Sequence, residues 1–179
     1  MSSSDGLDGK VALVTGGGDP LGRAAALALA ARGVSVVVVG ANERMLGETV
    51  GEIAYGGGKA RHVVMATGAD PSVAIERAVE VFGGIDLVVV DETHAAMFEV
   101  AKPRVREGGA LVAIRRADER AKLRVDGGSA AAVELRRRAI ACTAVSFESD
   151  VEPEAAAQLV VLSCSRAART MSGLTLAVC

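Results

Sequence analysis

Aromatic side chains are nearly absent: one tyrosine (Tyr55), three phenylalanines (Phe82, Phe98, Phe147) and no tryptophan among 179 residues. A chain so poor in rings lacks the platforms on which single-stranded nucleic acid stacks. An excess of charge is missing as well. The formal net charge of −2 gives no general attraction to phosphate backbones or anionic membranes. Cysteine is sparse, and Cys142, Cys164 and Cys179 lack metal-ligand spacing, so reduced thiols and no metal site are expected. Long apolar runs are absent too: residues 24–31 and 36–39 fall far short of the about 20 needed to cross a bilayer. The opening Met1-Ser-Ser-Ser-Asp-Gly has neither the basic nor the apolar block of a secretory leader. These absences predict a cytoplasmic protein with neither membrane nor nucleic acid as partner.

Half the residues are apolar and 23% are charged, the balance of a chain that folds around a core. The length suits one domain over residues 1–179. Short runs rich in Val, Leu and Ile recur at 10–15, 34–40, 61–66, 85–90, 110–114, 140–145 and 174–178. They are continuous rather than alternating, as strands buried on both faces are. Between them, residues 21–31, 43–54 and 71–82 read as helices, the last with Asp70 as N-cap and Pro71 at its first position. Residues 94–106, 129–138 and 153–163 are further candidates, the first two short. Strand and helix in alternation predict a doubly wound, mostly parallel α/β sheet, Rossmann-like, with about seven strands and helices on both faces. Short helices in the later half predict apolar strand surface left for something else to cover.

The first strand runs into Thr15-Gly16-Gly17-Gly18-Asp19-Pro20-Leu21-Gly22. A glycine-rich turn feeding a helix N-terminus is able to bind a dinucleotide pyrophosphate, because glycines admit the anion to backbone N–H groups. Thr15-Gly16-x-x-x-Pro20-Leu21-Gly22 resembles the T-G-x-x-x-G-x-G loop of the short-chain dehydrogenase/reductase family. Val36-Val-Val-Val-Gly-Ala-Asn-Glu-Arg is similar to that family's second strand and turn, and Phe82-Gly-Gly-Ile-Asp-Leu-Val-Val-Val to its fourth strand. Gly108-Gly-Ala-Leu-Val-Ala-Ile is similar to its fifth strand, and Glu152-Pro-Glu-Ala-Ala-Ala-Gln-Leu and Met171-Ser-Gly-Leu-Thr-Leu to its last helix and strand. The resemblance covers nearly the whole chain and implies cofactor contacts, here vestigial, at Thr15, Gly16, Gly18, Leu21 and Gly22.

The departures fall at the chemistry. Pro20 replaces the loop's middle glycine and has no N–H, and Asp19 is placed to cap the helix with a carboxylate that repels pyrophosphate. Gly40-Ala41 offers neither an acid for a ribose diol nor an arginine for a 2′-phosphate, and Arg44 belongs to the following helix as a solvated pairing residue. Thr67 stands where the resemblance implies an Asp near the adenine. Val90-Asp91-Glu92-Thr93 stands where it implies Asn-Asn-Ala-Gly.

The resemblance further implies a Ser, then a Tyr with a Lys four residues on, all after strand five, with the tyrosine handling the substrate proton. None of these stands there, so no catalytic residue is assigned. Tyr55-Gly-Gly-Gly-Lys59 matches Y-x-x-x-K literally, but three glycines make a poor helix, and the segment lies between strands two and three. It reads as a helix end. Set against the family pattern, the chain is shortened after strand four, around the catalytic helix and after strand six. The arginine-rich stretch 115–138 reads as a solvated face, or as a surface for an acidic partner. His62, among valines, reads as a packed residue, and Cys179 as a strand end. Asp91, Glu92 and His94 form either an acid–base or metal-holding group or, as favoured here, a helix cap by Asp91 or Thr93.

Two expectations follow. The first is a non-catalytic subunit, without cofactor, associating with a paralogous active dehydrogenase or with its own copy through the C-terminal helix and strand. The second is an NAD(P)-dependent oxidoreductase with a reduced active site, in which Asp91 or His94 carries the proton.

Overall fold

Valine-rich segments that cannot face water on either side form the centre of the molecule. The computed structural model describes residues 5–116, 130–148, 150–173 and 175–178. Its strands are β1 (Val11–Thr15), β2 (Ser35–Gly40), β3 (Ala60–Val64), β4 (Ile85–Asp91), β5 (Val105–Arg116), β6 (Ala141–Phe147) and β7 (Thr175–Val178). They make one parallel sheet in the order β3-β2-β1-β4-β5-β6-β7, the doubly wound arrangement with about seven strands that the sequence predicts.

Successive strand residues feed opposite faces. Ala12, Val14, Val36, Val38, Leu87, Val89 and Val112 point into one core, beneath α1 (Pro20–Ala30), α2 (Glu43–Tyr55) and α6 (Pro153–Cys164). Leu13, Val37, Val88, Val90, Leu111 and Ala113 point into the other, beneath α3 (Ser72–Phe82), α4 (Ala95–Ala101) and α5 (Ala130–Arg137). Period-2 alternation on a sheet covered twice explains why these strands read as unbroken apolar runs.

Four expectations are corrected. The first is the open apolar face. Met97, Phe98 and Ala101 of α4, with Leu135 of α5, pack over β4 to β6, whose described apolar residues are buried except for half-buried Phe147 at the end of β6. Second, the helix expected over 94–106 stops at Ala101, and β5 begins at Val105, pairing with Ile85 before a register shift. Exposed Arg106 and Glu107 interrupt the apolar pattern there and disguise the strand. Third, His62 is half-buried, not packed inside, because β3 has a single neighbour and forms the sheet's edge. Fourth, α3 starts one residue later than predicted, with the Asp70 carboxylate accepting the Ser72 N–H at 2.9 Å. Cys179 and residues 117–129, most of the basic stretch, lie outside the described residues. Among the described residues no helix is long and apolar enough to cross a membrane.

Candidate functional site

Strand order reverses between β1 and β4, and ligands of open α/β sheets bind at the carboxyl ends of the strands at such a switch point. A crevice of about 630 Å³ opens there, within the roughly 300–1,000 Å³ usual for small-molecule sites. Thr15, Gly16 and the start of α1 form one wall, and Asp91, Glu92 and Thr93 another. Ile114 and Arg115 of β5, Phe147 of β6, residues 150–152 ahead of α6 and Pro153 at its start complete it. Register explains the assembly: Asp91 pairs with Ile114 and Arg115 with Ser146, so these strand ends are level.

The glycine turn has the shape that the motif implies, but for reasons internal to the protein. Gly16 has φ +64°, a conformation that favours glycine. A Cβ at Gly22 would collide with the carbonyl group of Gly16, so that glycine sets how closely α1 approaches β1. Gly17, not singled out from the sequence, lies against Val38, where a Cβ would come within 2.5 Å of the valine Cβ. Buried Thr49 of α2 donates its hydroxyl to the Gly17 carbonyl at 2.8 Å. Gly18 lies against Met45 of α2 and is not among the residues lining the crevice. Thr15 is buried, and its hydroxyl oxygen accepts the Asp91 N–H at 2.9 Å. Leu21 and Gly22 do line the crevice.

Asp19 corrects another expectation. It occupies the N-cap position of α1 with extended backbone, but its side chain makes no capping hydrogen bond. Its carboxylate instead turns back over the glycine turn. A Cβ at Gly16 would lie 3.3 Å from Asp19 Oδ2 and 2.5 Å from Asp91 Oδ2. Two carboxylates therefore stand side by side against Gly16.

Asp91 is firmly held there. Its Oδ1 accepts the Thr93 hydroxyl at 2.7 Å and the His94 backbone N–H at 3.0 Å, capping the short 3-10 turn over residues 92–94. His94 Nδ1 lies 2.9 Å from the same oxygen and 2.8 Å from Thr93 Oγ1. The His94 side chain is only 8% exposed, and its Nε2 is buried without a hydrogen-bond partner. Burial pushes the Asp91 carboxyl up, but hydrogen bonds from His94 and Thr93 outweigh it and hold the group below the usual carboxylate range. The Asp91 hydrogen bond raises the His94 pKa against the opposing effect of burial, and the charges of Asp91 and Asp19 add to the rise.

The other predicted positions stand apart. Tyr55 ends α2 and is 96% exposed, with Gly56 as the C-cap residue, so the literal Y-x-x-x-K is a helix terminus. Because α2 runs opposite to the strands, that terminus lies at the far end of the sheet from the crevice. Arg44 pairs with Glu48 in solvent, and Asn42 caps α2 by accepting the Met45 N–H. Thr67 is exposed in the turn after β3 and does not line the crevice.

Asp150 and Glu152 were missed in the sequence. They join Asp19, Asp91 and Glu92 on the crevice wall, opposed there by Arg115. Their signal was positional, since the loop after β6 must open beside the end of β5. Among the described residues no His, Cys, Asp and Glu side chains are grouped to hold a metal ion.

A family model for the short chain dehydrogenases matches residues 10–104. The chain belongs to the short chain dehydrogenase family, an oxidoreductase family. Versicolorin reductase stcU of Emericella nidulans is 45% identical over 93 residues, covering 49% of this chain and 35% of that one. Cyclohexanol dehydrogenase of Acinetobacter sp. is 42% identical over 86 residues, covering 47% of this chain and 34% of that one. The match spans about a third of the length of each of these two relatives.

Among solved structures, the reductase LugOII, described as promiscuous, superposes with a TM-score of 0.80 at 23% identity, covering 99% of this chain and 96% of that one. A short chain dehydrogenase from Burkholderia cenocepacia, solved with NADP, superposes at 0.78 with 21% identity, covering 96% and 97%. These likenesses establish the Rossmann-like fold.

The family implies a nicotinamide dinucleotide. The turn's shape suits one, but its chemistry does not. Pro20 supplies no donor, and two carboxylates stand beside Gly16, where their charge opposes a pyrophosphate dianion. The residues present do not fit the group in the family manner.

Proposed function

We propose that this chain is a non-catalytic member of the short chain dehydrogenase family, which acts by associating with a dehydrogenase of the same family or with its own copy. One observation carries the reading: the Asp91 carboxylate, anchored by Thr93 and His94, lies over Gly16 together with that of Asp19. Like charges in a crevice repel a dianion. The single tyrosine, exposed at the far end of the sheet, adds support, because no phenol stands at the crevice to pass a proton. Association has its own argument. Among the described residues β7 has β6 as its one neighbour, so its outer edge presents backbone groups to a further strand. Leu162 of the adjacent α6 is 40% exposed.

A second reading keeps the chain as an NAD(P)-dependent oxidoreductase. The Asp91–His94 hydrogen bond of 2.9 Å at the crevice favours it, because a carboxylate-held imidazole is able to take or give a proton. The names of the relatives, reductases and dehydrogenases, favour it as well. Calorimetric titration with NADH and NADPH separates the two. Silence with both, with light scattering that shows a dimer or a complex with an active family member, is the expected result. Submillimolar binding that weakens in Gly16→Val would replace the first reading with the second, and a strictly monomeric chain that captures no dehydrogenase would remove the association.

A further inference from the structure

Resting on the non-catalytic reading, we propose that Asp19, Pro20 and Asp91 act together as a stopper, and that these three residues alone deny the crevice to dinucleotides. The backbone around them keeps the form of an anion cradle. Gly16 retains its left-handed turn, Gly22 holds α1 against the end of β1, and Thr49 fixes the Gly17 carbonyl. The Asp19 side chain contributes no hydrogen bond to the start of α1, so the first-turn N–H groups are not consumed by its carboxylate. What differs from a cradle is the covering. Two carboxylates lie over the Gly16 face, and a proline ring stands where the first helical position would offer an N–H.

Each component is separable from the fold. Asp91→Asn keeps an oxygen at the Oδ1 position to cap the turn before His94, and turns the group over Gly16 from an acceptor with charge into a donor. Asp19→Ser removes the second charge and shortens the side chain while retaining a residue type favoured at N-caps. Pro20→Gly restores the missing donor and clears the ring.

The test is calorimetric titration of NADH, NADPH and inorganic pyrophosphate into the wild-type chain, Asp91→Asn, Asp19→Ser/Asp91→Asn and the triple variant. Circular dichroism verifies each fold. The expected result is silence from wild type and submillimolar binding by the triple variant, a gain of at least about tenfold, with the double variant between them. A wild-type chain that binds as tightly as the triple variant would overturn both the stopper and the non-catalytic reading. Silence from a folded triple variant, with wild type silent too, would overturn the stopper and leave that reading standing. If glycine at position 20 unfolds the chain, the double variant decides by the same tenfold criterion.

Discussion

Thr15 and Asp91 join the ends of β1 and β4 by a hydrogen bond from the Asp91 N–H to the Thr15 hydroxyl, 2.9 Å long and roofed by the crevice. The bond is made where the parallel ladder between these strands has ended, since the last paired residues are Val14 and Val89. Thr15→Val keeps the shape and deletes the acceptor. The expected cost is about 1–2 kcal/mol, the penalty for a donor left unpaired in a mostly buried place. Urea denaturation measures it, and an unchanged midpoint would show the bond to be idle.

Two glycine substitutions should move stability in opposite directions. Gly22→Ala places a methyl group on the Gly16 carbonyl and forces α1 off the sheet, at a cost of about 1–3 kcal/mol. Gly51→Ala, in α2 with open space around its Cα, should stabilise by about 0.5–1 kcal/mol through helix propensity. Thermal melts of both variants check the pair; equal effects would contradict the packing described here.

The Asp91–His94 pair predicts a pH window. His94 is raised above its ordinary 6.5, so its contribution is complete below that value and is lost as pH climbs through the raised pKa. Asp91 is held below 3.8, so its contribution is present above that value and is lost as pH falls through the depressed pKa. Both describe one interaction, strongest between those limits. The difference in Tm between wild type and His94→Gln should therefore be widest between the two limits, near about pH 5, and narrow as pH climbs through the raised His94 pKa. A difference that stays flat across this range would show that the imidazole does not carry a charge.

Tyr55→Phe should change neither fold nor function. The side chain is almost wholly solvated, and surface changes of this kind stay within about 0.5 kcal/mol. Should the purified chain reduce any carbonyl compound, the rate of the variant should equal that of wild type. A lost rate would place the tyrosine in chemistry that its position at the end of α2 does not suggest.

Cys142 and Cys164 should be inert thiols. Burial pushes Cys142 up to about 11 and Cys164 up to about 12, leaving little thiolate near neutrality. Alkylation of the native protein at about pH 8, followed by peptide mass spectrometry, should find both unmodified. After denaturation both should react. Rapid native labelling of Cys164 would show that the interface of α6 with the sheet opens readily.

Strand identity was legible because residues such as Val36 to Val39 serve two cores at once, and only a strand inside a parallel sheet tolerates an unbroken apolar run. The crevice followed from the reversal between β1 and β4. The start of β5 was hidden, since Arg106 and Glu107 break the apolar signal while their backbone still continues the strand. Asp91 as a cap was readable from its place before a helix, and the structure adds the direction of its second oxygen. No one-dimensional pattern specifies that direction, because it depends on a turn some 75 residues earlier in the chain. The acidity contributed by Asp150 and Glu152 was likewise a matter of which loop closes over which strand end.

The glycines of the first turn answer to neighbours within the molecule: Val38 beneath Gly17, Met45 beside Gly18 and a carbonyl group behind Gly22. Steric demand alone is enough to preserve them. A fingerprint of this kind consequently testifies to how a helix is seated on a strand before it says anything of what is carried above them.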